Sequence, residues 1–185
     1  MDKQIALEVM ALMKRSKEHI YSEMYREFDL QNRVLDYSEI IKEFEKLFKR
    51  LSDAINDNAD IFNTQESDKE AILQRAKIYT DEVDMPAIKM AKLYAGLHAL
   101  SSRSDITEAL MKVVKKVLME YLVFRDRLES LILGNGKEEL VFQPDIEREA
   151  EVLLKTMDDM NMPRKRGILL PLLAAFGLGY LLGSE

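Results

Sequence analysis

Residues 106–133 read ITEALMKVVKKVLMEYLVFRDRLESLIL, and they form the longest helical pattern in the chain. Bulky apolar residues recur in it at alternating intervals of four and three: Leu110, Val114, Val117, Tyr121, Phe124, Leu128 and Leu131. A repeat of this kind over three heptads predicts a long amphipathic helix with one apolar seam. Further apolar residues widen the seam into a stripe, which favours a position inside a helical bundle.

A second seam with the same spacing lies upstream and contains Val34, Tyr37, Ile41, Phe44, Phe48, Leu51 and Ile55. Charged residues of both signs fill the positions between these apolar residues. The pattern predicts a second long helix. Because the two stripes match in length, we expect the helix over 106–133 to be the central strut of the bundle. We expect the helix over 34–55 to be its main antiparallel neighbour.

Shorter helical patterns cover residues 3–29, 68–84, 87–100 and 145–159. Pro86 either opens the helix over 87–100 or kinks one continuous helix that includes residues 68–84. The chain has only 7 Gly and 4 Pro, so long helices meet few breakers. The sequence therefore predicts an all-α bundle of five to six helices, followed by a short C-terminal hydrophobic helix.

Length and composition define the domain organisation. The chain has 185 residues, of which 47% are hydrophobic and 32% charged, enough for one packed domain and an appendage. We divide it into an acidic helical domain (1–160), a basic joint (161–166) and a hydrophobic segment (167–185). The net charge of −6 gives no general attraction to nucleic acid, so we expect no nucleic-acid partner.

Residues that carry catalysis or bind metal are scarce. The absence of cysteine excludes disulfides, thiol nucleophiles and thiolate metal sites. Neither His19 nor His98 has the Glu three residues earlier that a di-iron bundle needs. The oxygen-rich stretch 56–67 has Ile61 where a calcium loop needs glycine, and Ser67 where it needs glutamate. We therefore expect no enzyme and no cofactor, with paired carboxylates across helices as the open alternative.

Residues 167–183 read GILLPLLAAFGLGYLLG without a charge, directly after the basic flank Arg164, Lys165 and Arg166. This pattern is typical of a membrane segment whose basic side stays cytoplasmic. Seventeen helical residues span about 25 Å against about 30 Å of hydrocarbon, so the segment is short for spanning. Its predicted lipid-facing residues are Ile168, Leu169, Leu170, Leu172, Leu173, Phe176, Leu178, Tyr180, Leu181 and Leu182. Small residues every four positions, at Ala175, Gly179 and Gly183, predict helix–helix contact in the bilayer.

These features lead to three hypotheses. The first is a non-enzymatic, C-terminally membrane-anchored helical scaffold, adaptor or assembly protein, with lipid and protein partners and its body on the cytoplasmic side. The second is a soluble homo-oligomer in which the C-terminal helices are buried. The third rests on a resemblance of residues 164–170, a basic cluster followed by Gly-Ile-Leu-Leu, to the cleavage site and fusion peptide of class I viral or retroelement envelope proteins. That resemblance implies a membrane-active segment, although Pro163 stands where a furin-type site has arginine.

Overall fold

The computed structural model describes residues 2–27, 36–59, 68–134 and 140–160, and 86% of these residues are helical, with no strand among them. The α-helical segments are α1 (Lys3–Met24), α2 (Tyr37–Asp57), α3 (Lys69–Tyr79), α4 (Met85–Leu100), α5 (Asp105–Ile132) and α6 (Glu147–Asp159). A π-helical turn, Thr80–Asp84, joins α3 to α4, and a 3-10 turn, Ser101–Arg103, precedes α5. The predicted all-α bundle is confirmed.

Short polar side chains begin four of the helices. Asp2, Asp36, Asp68 and Ser104 each accept a hydrogen bond from a backbone N–H in the first turn of the helix that follows. These bonds satisfy donors that have no partner within the helix. At the other end of α5, Gly134 adopts φ 76°, a left-handed conformation that favours glycine and ends the helix.

Both predicted seams face the core. Six of the seven seam residues in α5 are buried and Leu131 is half-buried. In α2, the five seam residues from Ile41 to Ile55 are buried, Tyr37 is half-buried, and Val34 lies outside the described residues. The apolar stripes therefore become one continuous hydrophobic core, to which every α-helical segment contributes.

The neighbour predicted for α5 was wrong. Helix α5 packs mainly against α4 and α6, whereas α2 packs mainly against α4 and the π turn. Helix α4 also contacts α1, and therefore it is the central strut. Small buried residues, Ala87, Ala91 and Ala95, follow one another every four residues and let a neighbouring helix approach one face of α4 closely. A count of bulky seam residues does not capture this property.

Pro86 lies inside a continuous helical run. The backbone at Tyr79, Thr80, Asp84 and Met85 is right-handed helical, so α3, the π turn and α4 form one rod from Lys69 to Leu100. A π turn forms i→i+5 hydrogen bonds and inserts one residue into the helix. The altered bonding pattern accommodates a proline, which has no N–H to donate.

A segment without regular secondary structure, 140–146, leads into α6 and packs against the core through Leu140 and Phe142. Phe142 lies between two helices, with ring centroids 6.3 Å from Phe48 of α2, 6.0 Å from Tyr121 and 5.9 Å from Phe124 of α5. None of the helices in the described ranges combines the length and apolarity that crossing a membrane requires.

Candidate functional site

The site residues predicted from the sequence lie outside the described residues. These are the basic flank (Arg164, Lys165, Arg166), the lipid-facing residues from Ile168 to Leu182, and the small-residue face (Ala175, Gly179, Gly183). The hypotheses built on them remain predictions. Within the described residues, the polar chemistry is concentrated at the π turn, which contacts a buried charge network on one side and a surface groove on the other.

The buried charge network centres on Asp84, the last residue of the π turn, and Arg125 of α5. Both side chains are 0% exposed. The guanidinium donates from Nε to Asp84 Oδ1 at 2.9 Å and from Nη2 to Asp84 Oδ2 at 2.8 Å. Nη2 also donates to the Met13 carbonyl of α1 at 2.9 Å. The pair therefore joins α1, the π turn and α5 at one point in the core.

Two tyrosines surround this ion pair. The Tyr121 hydroxyl donates to Asp84 Oδ1, and the Arg125 guanidinium carbon lies 5.7 Å from the centroid of the Tyr79 ring. Burial raises the pKa of both phenols, with Asp84 adding to the effect. Each tyrosine therefore remains protonated at physiological pH, and Tyr121 remains a hydrogen-bond donor.

The charge of Arg125 is held by its partner. Burial alone lowers the pKa of Arg125, but the charge of Asp84 and its hydrogen bonds outweigh burial and raise that pKa. A desolvated carboxylate and guanidinium are tolerated in a core only when paired and hydrogen-bonded. Neither group is available as an acid or base, so we assign the network a positioning role.

The network continues from the core to the surface. Arg125 Nη1 lies 3.4 Å from Glu129 Oε1, and Lys17 Nζ of α1 lies 3.1 Å from Glu129 Oε2. Lys17 also pairs with Asp126, whose side chain is 60% exposed. Burial lowers the pKa of Lys17, but hydrogen bonds to Asp126 and Glu129 reverse that effect and raise it. The outer pairs link α1 to α5 beside the buried pair.

The surface groove lies between the C-terminal half of α2 and the start of α4. Its volume is about 390 Å³, and its charged lining consists of Asp53, Asp57, Asp81, Glu82, Arg50 and Lys89. Ala54, Met85 and Pro86 form its apolar part. Asp81 and Glu82 belong to the π turn, so the segment that carries Asp84 into the core also forms one wall of the groove.

The two histidines lie apart from the buried network and the groove. His19 Nε2 is 3.4 Å from Glu23 Oε1 on the same helix, and the His98 ring lies 5.8 Å from the Tyr94 ring. Across residues 2–27, 36–59, 68–134 and 140–160, no three metal-ligating side chains converge.

The buried network was not predicted from the sequence, because charged residues of an amphipathic helix are expected on its outer face. A signal was present: Arg125 stands four residues after Tyr121 and three before Leu128, inside the apolar stripe. Residues at those spacings share one helix face, so Arg125 was placed to be buried. Its partner Asp84 could not be identified, because no pattern indicates which helix faces it.

Comparison with known proteins gave no match: no family model, no curated protein and no solved structure matches the chain. The chain is therefore classified by its fold alone, as an all-α helical bundle.

Proposed function

We propose that the chain is a non-enzymatic, membrane-anchored helical scaffold or adaptor. Residues 167–183 insert into a membrane, the basic flank rests on the headgroups of the cytoplasmic leaflet, and the acidic bundle recruits a protein partner above the bilayer. The proposal includes no cofactor and no nucleic-acid ligand.

One observation supports the proposed membrane anchor. Seventeen consecutive residues, 167–183, lack charge in a chain that is 32% charged, and Arg164–Arg166 directly precede them. An uncharged run beside a basic cluster is the pattern of a membrane segment, and the basic side resists translocation. Each basic residue near an anionic surface adds about 1 kcal/mol of attraction.

The buried ion pair and the charged surface of the helical bundle support recruitment of a protein partner over catalysis. Its most unusual polar groups, Asp84 and Arg125, are fully buried and paired with each other. They therefore present no reactive atom to a substrate. Its surface has charged helix faces with pairs such as Lys112–Glu108 and Lys116–Glu120. Such faces are solvated and suit reversible, charge-guided contacts between proteins.

Fractionation tests the anchor directly. The full chain and a chain ending at Pro163 are expressed, and membranes are washed with alkaline carbonate. We expect the full chain to remain in the pellet and the shortened chain to be soluble. If both are soluble, the anchor is wrong, and the homo-oligomer with buried C-terminal helices replaces it.

Point variants separate lipid insertion from protein contact. Leu173→Glu places a charge in the proposed bilayer segment and is expected to release the chain. The matched change Val152→Glu, at a half-exposed position on α6, is expected to leave it bound. Gly179→Ile is expected to weaken self-association without release. Release by Gly179→Ile alone would mean that protein contacts, not lipid, hold the segment.

A leakage assay addresses the fusion-peptide alternative. A peptide of residues 164–185 is added to anionic vesicles that contain a self-quenched dye. An anchor inserts without disrupting the bilayer, so we expect no dye release. Leakage comparable to that from a membrane-lytic peptide would favour the membrane-active function.

A further inference from the structure

The surface groove is lined by one face of α2. Arg50, Asp53, Ala54 and Asp57 follow the spacing i, i+3, i+4, i+7, which places all four on the same side of the helix. This face is about 10 Å long at 1.5 Å per residue, or two helical turns. The groove therefore follows α2 for two helical turns, and we call it the channel.

The opposite wall runs antiparallel to α2. At one end, Asn58 Nδ2 lies 3.3 Å from Glu82 Oε2. At the other end, the Tyr37 hydroxyl lies 2.9 Å from Ser104 Oγ, beyond the end of α4. This orientation collects Asp53, Asp57, Asp81 and Glu82 toward one end of the channel, and Arg50 and Lys89 toward the other. The channel has a charge gradient along its length.

The charges of the channel are not neutralised from within. In the portion of the chain that the structure describes, none of these six side chains forms an ion pair, and Glu82 alone has a hydrogen bond, from Asn58. Solvated charges that do not pair with each other remain available to a partner. Four carboxylates face two cations, so the channel favours a cationic occupant.

The channel also has an apolar part. Met85 is 41% exposed, while Pro86 beside it is buried. Methionine is flexible and polarisable, and it adapts to the side chains of different partners. An exposed apolar residue of this kind in a groove lined by charged side chains favours a partner that brings both an apolar anchor and positive charge.

We propose that the channel binds a basic amphipathic helix of a protein partner. Its lysine or arginine side chains face Asp53, Asp57, Asp81 and Glu82, and one of its apolar side chains packs on Met85. Amphipathic helices of partner proteins commonly bind in surface grooves. The channel, which is two helical turns long, can accommodate a short helix of this kind. The inference rests on the proposed scaffold function, because it names the kind of partner that the bundle recruits.

The test measures fluorescence anisotropy of a labelled helical peptide of about 14 residues with Leu, Ala and Lys at amphipathic spacing. The full chain is used in non-ionic detergent. We expect Asp57→Asn with Asp81→Asn to weaken binding roughly tenfold at low salt, from two lost charge contacts. Glu43→Gln with Glu151→Gln changes the net charge equally at exposed positions outside the channel, and we expect less than a twofold effect. Equal binding by these two double variants would overturn the proposal.

Further probes identify the occupant. Met85→Ser is expected to weaken binding of the peptide, and a peptide with serine in place of leucine should bind poorly. If spermine competes as well as the peptide does, the site binds small cations and the proposal is wrong. If the triple variant Arg164→Gln, Lys165→Gln and Arg166→Gln binds the peptide more tightly, the chain's own basic cluster occupies the channel and the proposal is wrong. Because binding is measured in detergent, failure of membrane anchoring leaves this result unchanged.

Discussion

Replacing the buried carboxylate, Asp84→Asn, gives the sharpest test of the core. The change keeps the volume of the side chain but removes the charge that balances Arg125. Asp84 accepts two hydrogen bonds from the guanidinium and one from Tyr121, and both members of the pair are 0% exposed. Breaking a buried pair from one side leaves an uncompensated charge and costs about 3–5 kcal/mol.

A matched control exists in the same network. Asp126→Asn is the same chemical change in a residue that also pairs with a cation, but its side chain is 60% exposed. Exposed pairs contribute about 0–1 kcal/mol, because water screens them. Urea unfolding of the full chain in non-ionic detergent, followed by far-UV circular dichroism, measures both variants. Similar losses at the two positions would refute the assignment of Asp84 and Arg125 as a buried pair.

A compensating variant separates charge from packing. Replacing both partners with apolar residues, Asp84→Leu with Arg125→Met, removes the desolvation cost together with the attraction. We expect the double variant to be more stable than either single variant, with a coupling of about 2–3 kcal/mol. Additive losses would mean that the two side chains do not depend on each other.

Three further predictions follow from the described residues. Burial raises the pKa of Glu45 from 4.5 to about 7, against the opposing effect of Lys42. The folded state therefore favours the neutral acid. The resulting stabilisation is fully present below pH 4.5 and is lost as the pH rises through about 7. Because Glu45 is partly exposed, urea unfolding should show a loss on the order of 1 kcal/mol, absent in Glu45→Gln. Phe142→Ala removes contacts with three aromatic rings and should cost about 2–4 kcal/mol, with hydrogen exchange accelerating in α6; unchanged exchange there would contradict the packing of the 140–146 segment. Gly134→Ala should cost about 1 kcal/mol because φ is positive, whereas a neutral result would contradict the left-handed helix end.

Helix content could be predicted from the sequence, because it depends on local spacing. The seams of α2 and α5 are periodic over three heptads, and burial at those positions follows directly from the period. The start of α5 was predicted within one residue, since polar capping residues and apolar periodicity change together there. Properties that depend on a single helix could therefore be predicted from the sequence.

Which helices pack against each other was harder to predict from the sequence. The sequence favoured α2 beside α5 because their stripes match, but α4 lies at the centre, and its small buried residues form no seam of bulky side chains. The π turn at Thr80–Asp84 was also missed. Residues five apart, such as Tyr79 and Asp84, lie about 140° apart on an α-helix, yet the π turn brings both to Arg125. The shared contact of Tyr79 and Asp84 with Arg125 becomes visible only when α5 is packed beside the π turn.

The most direct test of membrane anchoring uses the absence of cysteine in the chain. Leu173→Cys and Glu151→Cys are prepared separately, labelled with an environment-sensitive fluorophore and reconstituted with vesicles that contain a lipid-chain quencher. We expect strong quenching and a blue-shifted emission for the label at 173, and neither effect for the label at 151 on α6. If the label at 173 remains unquenched with vesicles, or is blue-shifted equally without them, residues 167–183 are not in lipid and the proposed membrane anchor is wrong.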